Sequence, residues 1–426
     1  MCPSDPRGSS LPSPSSSNGA WCPEFYPTRS EFQSFATYIR TVVEPQCADI
    51  GICKIIPPRG WFSRSYDISQ LDCQVSAPVS QHVAGKKGIF NVDLVERKTM
   101  SPLEFQMMTE AATDKEPEGM KYRRPDGGGA TVLEGIAWDD GRSSASLFGD
   151  ADALSWNLGN LNSILRKIDL PGVTRPMLYF GMWRAMFAFH TEDMDLFSIN
   201  YVHTGKPKFW YGIPPDAAPQ LERAAQSMFP EKHHTCSQFL RHKTSLISPA
   251  RLREFGVPFY RAYQKPGEFV ITFPAAYHQG FNLGFNIAEA VNFASLHWIP
   301  YGLKAKVCKC LPDSVRIDMN SFLTKLFSGP PSGPELLGDD PWVFSCKCHK
   351  YCSSNNPNFK VEEQWFECSK CKIWAHAKVA AVEGKYIRVH YKGESVDNDE
   401  WLPVSCKELQ RRIVAVEPPP VKTKDS

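Results

Sequence analysis

The chain has 426 residues, enough for two or three domains, and at 42% hydrophobic and 12% aromatic it can bury a substantial core. Its 48 basic and 46 acidic side chains leave a formal net charge of +2, so nothing global marks a polyanion binder and any nucleic-acid contact has to be local. The 14 cysteines are too few for a disulfide scaffold at this length; Cys308/Cys310, Cys346/Cys348 and Cys368/Cys371 read instead as metal ligands in a reducing compartment.

Residues 1–20 are rich in Ser and Pro and read as a disordered tail, without the apolar stretch of a signal peptide. No apolar run approaches ~18 residues, which argues against a membrane span. These features point to a soluble intracellular protein. Order is expected from Trp21. In WCPEFYPTRSEFQSFATYIRTV, Thr28 or Ser30 can cap a helix whose Phe32, Phe35, Ile39 and Val42 recur at helical spacing. GICKIIPPRGW then gives a short strand stopped by paired prolines, closing a segment at residue 63. Residues 64–145 are mixed and include a strand followed by a helix entered at Ser101-Pro102.

From residue 146 to 310, and most densely from Trp156 to His297, short apolar runs alternate with Pro and Gly: MLYFGMW, FSINYVH, KFWYGIPP, GEFVITFP and FNIAEAVNFA. Many short strands with turn punctuation predict a barrel or sandwich. Residues 311–340 read as a helix (SVRIDMNSFLTKLF) and a Pro/Gly linker. Residues 341–412 read as a small separate module and 413–426 as a tail.

The ionisable residues of FAFHTEDMDLFSINYVHTGKPKFWYG sit inside a segment that otherwise reads as core. His190 and Glu192, two apart, share one face of an extended strand. With His278 of FPAAYHQGFNLGFN they make two histidines and one carboxylate, the facial set that leaves open positions on ferrous iron. A second reading makes Glu192 and Asp193 helix-start residues favoured by the helix dipole. Cys236 and His242 flank SQFLR, and with Cys308 and Cys310 they offer the four soft ligands of a closed structural zinc site; the plain alternative is buried free thiols.

LYFGMWRAMFAFHTEDMDLFSINYVHTGKPKFWYGIPP closely resembles the core of the JmjC histone lysine demethylases, and HTEDMDL resembles the group acting on lysines 9 and 36 of histone H3. FLRHKTSLISP, GEFVITFPAAYHQGFNLGFNIAEAVNFA and VCKC continue the likeness, while EFYPTRSEF and CKIIPPRGW resemble a JmjN segment, here 21–63. The resemblance implies a mainly β fold with helices: a double-stranded β-helix (jelly-roll, cupin-like) at 146–310, the JmjN segment before it and a small C-terminal β-barrel module. It implies ferrous iron on His190, Glu192 and His278, zinc on Cys236, His242, Cys308 and Cys310, and O2 and 2-oxoglutarate as cosubstrates. Lys208 would pair with the distal carboxylate of 2-oxoglutarate. Asn200 would orient it, Phe187 and Trp210 would pack on it, and Lys243 would lie near the oxygen site. Gly172, Tyr179, Ala290 and Asn292, with Glu192, would cradle the methylated ammonium.

The implied reaction hydroxylates an N-methyl group, which leaves as formaldehyde while 2-oxoglutarate becomes succinate. Methylated histone H3 on the nucleosome is the implied partner, the nucleus the implied location, and no membrane is involved. Small Ala290 and Val291, where some members carry hydroxyls, favour lysine 9 and leave room for three methyl groups. A protein hydroxylase on the same fold, and a weakly catalytic chromatin reader, are the alternatives. The reader stays open because the sequence departs from the family: EGIAWDDGRSSASLFG offers Trp138 where a cosubstrate-binding tyrosine is usual, Met177 replaces a tyrosine and Phe189 a tryptophan.

In the C-terminal module, WFECSKCKIWAH resembles the second half of a PHD finger, but Val379 stands where its next cysteine belongs. One zinc, held by Cys368, Cys371 and two of Cys346, Cys348, His349 and Cys352, is therefore expected rather than two. The following residues resemble a Tudor or chromo-barrel, with Trp374, Tyr386, Tyr391 and Trp401 as cage or core aromatics.

Overall fold

The computed structural model describes residues 18–61, 66–76, 78–111, 132–137, 146–148, 154–310, 314–319 and 321–322. Near the C-terminus it describes 364–367, 374–383, 386–391 and 400–403. These fall into two compact units: 18–294 with 301–322, and 295–300 with the C-terminal strands.

The first unit is built on eight strands, numbered here in chain order. They are β1 Met177–Gly181, β2 Met186–His190, β3 Phe197–Gly205, β4 Lys208–Gly212, β5 Phe259–Gln264, β6 Phe269–Thr272, β7 His278–Asn282 and β8 Asn286–Phe293. One sheet carries β1-β8-β3-β6, the other β5-β4-β7-β2, and every neighbouring pair is antiparallel. The chain crosses between sheets at almost every turn, which makes the double-stranded β-helix that the family resemblance implies, where the alternation of short apolar runs and turn residues left a barrel or sandwich. Cross-strand partners share a face. Met177, Tyr179, Asn200, Ala290 and Asn292 are thereby set on the same inner face of the first sheet. Val291 alternates to the opposite face, so only Ala290 of that pair looks inward.

The N-terminal segment extends both sheets. Asn18–Trp21 adds a parallel strand beside β5, and Ile52–Ile55 pairs with β6. The strand Asn18–Trp21 begins inside the stretch read as tail, and residues 1–17 lie outside the described residues. Thr28 and Glu31 form a reciprocal capping box: Thr28 N donates to Glu31 Oε2 at 2.8 Å, and Glu31 N to Thr28 Oγ1 at 3.3 Å. The helical run that follows is not uniform. A π turn at Ile39–Val43 interrupts it, so the extra residue per turn buries Val43 in place of the expected Val42. Phe32 stacks on Trp156 with centroids 4.1 Å apart. The buried Lys54 ammonium bridges Glu24 at 2.8 Å and Glu268 at 3.2 Å, fastening this segment to the barrel.

After strand Ile89–Glu96 in the chain, helix Pro102–Ala111 starts at Ser101 as expected, with Glu104 completing a second capping box. The reading of 156–297 as strands alone missed helices Ala218–Met228, Pro230–Thr235 and Pro249–Glu254, inserted between β4 and β5. Leu221, Ala224, Ala225 and Phe229 recur at helical spacing and form one buried cluster with Phe189 and Phe259. Each large side chain in it contributes about 1.5–3 kcal/mol. After Cys310, residues 314–318 are not helical. Helical bonding begins at Asp318, whose carbonyl accepts from Phe322 N.

In the second unit, Gln364–Glu367, Trp374–Glu383, Tyr386–Tyr391 and Glu400–Pro403 form an antiparallel meander, each strand pairing with the next. Trp374, Tyr386, Tyr391 and Trp401 lie on these strands. Cys346, Cys348, His349, Cys352, Cys368 and Cys371 lie outside the described residues, as does Trp138. No helix among the described residues is long and apolar enough to cross a membrane.

Candidate metal centres

Among the described residues, two groups bring His, Cys or carboxylate ligand atoms within 4.8 Å of one another: His190, Glu192 and His278, and Cys236, His242, Cys308 and Cys310. Both are the sets expected from sequence.

In the first group, strand pairing does most of the work. His190 closes β2 and His278 opens β7, and the two are direct register partners, with ring centroids 4.3 Å apart. Glu192 follows in extended backbone, so the two-residue alternation carries its side chain to the same face. It stands at the N-cap of the short 3-10 turn Asp193–Asp195 without a capping hydrogen bond, so the helix-start placement holds but leaves its carboxylate free for the histidines. His190 Nδ1 lies 2.7 Å from Ala188 O, and His278 Nδ1 lies 3.1 Å from Ala276 O. A carbonyl only accepts, so both Nδ1 atoms carry the proton and both Nε2 lone pairs face Glu192, the tautomer a metal requires. Glu192 Oε1 stands 3.2 Å from His278 Nε2 and 3.9 Å from His190 Nε2. Bonds of about 2.1 Å put cis ligands about 3 Å apart, so small movements of Glu192 and His190 close the set around one ion. Asn292 Nδ2 donates to the other oxygen, Oε2, at 3.1 Å, and so steers Oε1 inward. Two histidines and a carboxylate with open positions fit ferrous iron.

Electrostatics favours the ligand forms. Burial, reinforced by the charges of Lys243 and His278, pushes the His190 imidazole well below its ordinary range and keeps it neutral. Burial alone would raise the Glu192 carboxyl. A proton on His278 Nε2, given up when a metal binds, and the charge of Lys243 outweigh it and hold the group ionised.

The turn after Glu192 is strained. Met194 and Asp195 both have left-handed backbone, at φ +53° and +52°. Arg241 straps it: Nη1 donates to Glu192 O at 3.0 Å and Nη2 to Asp195 Oδ1 at 2.7 Å.

A second polar cluster lies along the same barrel face. Lys208, Trp210 and Gly212 on β4 oppose Asn282, Gly280 and His278 on β7. Lys208 is therefore four residues, about 13 Å, along the ladder from an iron ligand. A lysine side chain and a five-carbon diacid together span that gap. Lys208 is buried and its Nζ donates to Asn282 Oδ1 at 2.6 Å. Phe187 and Trp210 meet with centroids 4.6 Å apart, each within 6.5 Å of the His278 ring. Gly280 permits this approach, since a Cβ there would fall 2.3 Å from Phe187 Cζ. Gly172, at φ +77°, sits near Met177, and the adjoining Val173 carbonyl accepts from Asn292 N. Lys243 is exposed, left-handed at φ +55°, and its charge reaches His190 and Glu192.

In the second group, Cys236 Sγ lies 3.7 Å from Cys308 Sγ, and His242 Nε2 lies 3.2 Å from Cys308 Sγ. Tetrahedral bonds of about 2.3 Å place two sulfurs about 3.8 Å apart, so the donor set fits zinc rather than a disulfide. Sequence reading missed Arg241, Gln264, Asn282 and Gly280. Only the position of Arg241 beside His242 could have drawn attention to any of them.

The jmjN domain model matches residues 23–57 and the model described as "JmjC domain, hydroxylase" matches 177–293. The chain thus carries one segment that matches the jmjN model and one that matches the JmjC model. Its JmjC match runs from β1 to the end of β8, and its JmjN match covers the segment that joins Ile52–Ile55 to β6. The chain is 41% identical over 313 residues to mouse lysine-specific demethylase 4B, covering 70% of this chain and 28% of that protein. It is 38% identical over 313 residues to human probable lysine-specific demethylase 4F, covering 70% and 48%. It is 39% identical over 315 residues to rat lysine-specific demethylase 4D, covering 70% and 60%. The chain thus spans less than two thirds of the length of each of these relatives.

Proposed function

We propose that this chain is an iron- and 2-oxoglutarate-dependent lysine demethylase acting on methylated histone H3. Lysine 9 is the favoured target and lysine 36 the second, and the site of action is the nucleus. The observation that carries the reading is the pair of Nδ1–carbonyl hydrogen bonds that turn both Nε2 atoms towards Glu192. Lys208 stands on the same face to hold a diacid. The names of the relatives supply the substrate class.

Ferrous iron with 2-oxoglutarate and oxygen supplies the oxidising equivalents for N-methyl hydroxylation. The chain's own residues bind and orient. His190, Glu192 and His278 hold the metal, Lys208 and Asn200 fix the cosubstrate, and Phe187 and Trp210 wall it from water. Gly172, Tyr179, Ala290 and Asn292 line the cavity for the methylammonium, and Lys243 places a positive charge beside the open positions. Ala290 faces inward and adds no polar contact, which suits a trimethylated lysine. Cys236, His242, Cys308 and Cys310 hold a structural zinc. The C-terminal meander belongs to a zinc-binding, Tudor-like module, spanning 341–412, that engages chromatin.

His190→Ala is expected to abolish formaldehyde release from trimethylated H3 peptide, read by mass shift of the peptide. Undiminished turnover in that variant refutes the triad. A weakly catalytic chromatin reader is the second reading, favoured by Met177 on the inner face where the family usually has tyrosine. Failure of the iron-loaded chain to convert 2-oxoglutarate with any histone peptide decides for it.

A further inference from the structure

Gln264 ends β5 and is fully buried, opposite Lys208 in register, so its side chain shares the inner face. Its amide touches both Trp210 and Asn200. Trp210 Nε1 donates to Gln264 Oε1 at 2.9 Å. Gln264 Nε2 donates to Asn200 O at 3.0 Å, to Asn200 Oδ1 at 3.1 Å and to Glu268 O at 3.0 Å.

The chemistry of these groups fixes the direction of each bond. An indole N–H only donates, so the Gln264 atom facing Trp210 has to be its carbonyl oxygen. The Gln264 amide nitrogen then faces Asn200, and its two hydrogens serve three oxygens, one going to Glu268 O and the other shared between Asn200 O and Oδ1. The Asn200 atom facing Gln264 therefore has to be the acceptor, Oδ1. Its Nδ2, two N–H donors with no protein partner among the described residues, is left for the barrel interior, where an anionic ligand would lie. Reversing the Asn200 amide would set its NH2 against the Gln264 NH2.

We propose that Gln264 is a positioning residue that sets the polarity of Asn200, so that Asn200 presents an amide donor to an anionic oxygen of 2-oxoglutarate. The assignment rests on the functional reading above. Trp210 is the start of the relay, because its one-way N–H decides the orientation of two amides in turn. Three buried groups are thus ordered before ligand arrives, and affinity is gained by preorganisation.

The test is a double-mutant cycle on the full chain, with Mn(II) in place of iron and calorimetric binding of 2-oxoglutarate as readout. Gln264→Glu keeps the size and still accepts from Trp210, but no longer donates. Asn200 then turns its NH2 towards residue 264 and its oxygen towards the ligand. The expected result is at least a tenfold loss of 2-oxoglutarate affinity with Mn(II) affinity unchanged. In an Asn200→Ala background the same change at 264 is expected to cost less than twofold, because the group it orients is gone. Gln264→Met, which keeps the volume and frees Asn200 to rotate, serves if the glutamate variant does not fold, and the same coupling is expected. Equal losses in both backgrounds, or 2-oxoglutarate affinity like wild type, overturn the role of Gln264. Wild-type chain that binds no 2-oxoglutarate overturns the functional reading itself.

Discussion

Replacing Arg241 by methionine keeps most of the side-chain volume and removes two charge-assisted hydrogen bonds, one to the Glu192 carbonyl and one to the Asp195 carboxylate. The ion pair is largely buried, at 11% and 16% exposure. Burial already pushes the Asp195 carboxyl up, and the Arg241 charge opposes this. Breaking one side of a buried pair costs about 3–5 kcal/mol. The same strap holds two left-handed residues that each store about 1–3 kcal/mol of strain. The turn is thus expected to relax, taking Glu192 out of line with the two Nε2 atoms. Losing a group that orients a metal ligand typically costs about 10- to 100-fold in metal affinity. Titration of the purified chain with Co(II) reads this directly, and zinc content reports whether the neighbouring His242 site survives. Arg241→Lys, which restores the charge but not the two-pronged geometry, should recover part of the loss. Co(II) affinity within twofold of wild type for Arg241→Met refutes the idea that this strap positions Glu192.

Three further outcomes are expected. Asn282→Ala removes the acceptor from the Lys208 ammonium, a bond worth about 1.5–3 kcal/mol, so the KM for 2-oxoglutarate should rise roughly 10- to 100-fold; an unchanged KM removes Lys208 and Asn282 from the cosubstrate site. Cys308→Ser should lower bound zinc by one equivalent per chain in elemental analysis, and full retention contradicts the four-ligand site. Burial raises the Cys22 and Cys53 thiols well above the ordinary value of 9.0, helped at Cys22 by Cys53 and at Cys53 by a hydrogen bond with Cys47. Above about pH 9 the unfolded chain loses these protons and the folded chain keeps them, so stability should fall as pH rises. Denaturant melts between pH 8 and 10 should show that slope, and Cys53→Ala should flatten it.

The chemistry-bearing residues were legible where they lie close together in the chain or carry unmistakable ligand chemistry. His190 and Glu192 follow from strand alternation, His278 from its strand-and-turn setting, and the Cys/His set from type and spacing. The Thr28 cap and the Ser101-Pro102 helix start were equally local, because capping depends on the next three residues alone. Val42 failed where Val43 is buried, since a π turn is a departure that periodicity does not encode. The helices between β4 and β5 were overlooked because their apolar faces gain meaning only against Phe189 and Phe259 on the barrel.

What the sequence determined by itself is therefore the chemistry: a barrel or sandwich of short strands and two candidate ligand sets, which the family resemblance narrowed to a jelly-roll with one ferrous-type and one zinc-type set. What only the tertiary structure decided is orientation. Arg241 lies 49 residues from the carbonyl it holds, Gln264 lies 64 from Asn200 and Asn282 lies 74 from Lys208. Each acts through a hydrogen bond whose direction depends on a third group, and no linear spacing specifies that. Strand register brings such residues together, and register is a property of the closed barrel rather than of any one segment.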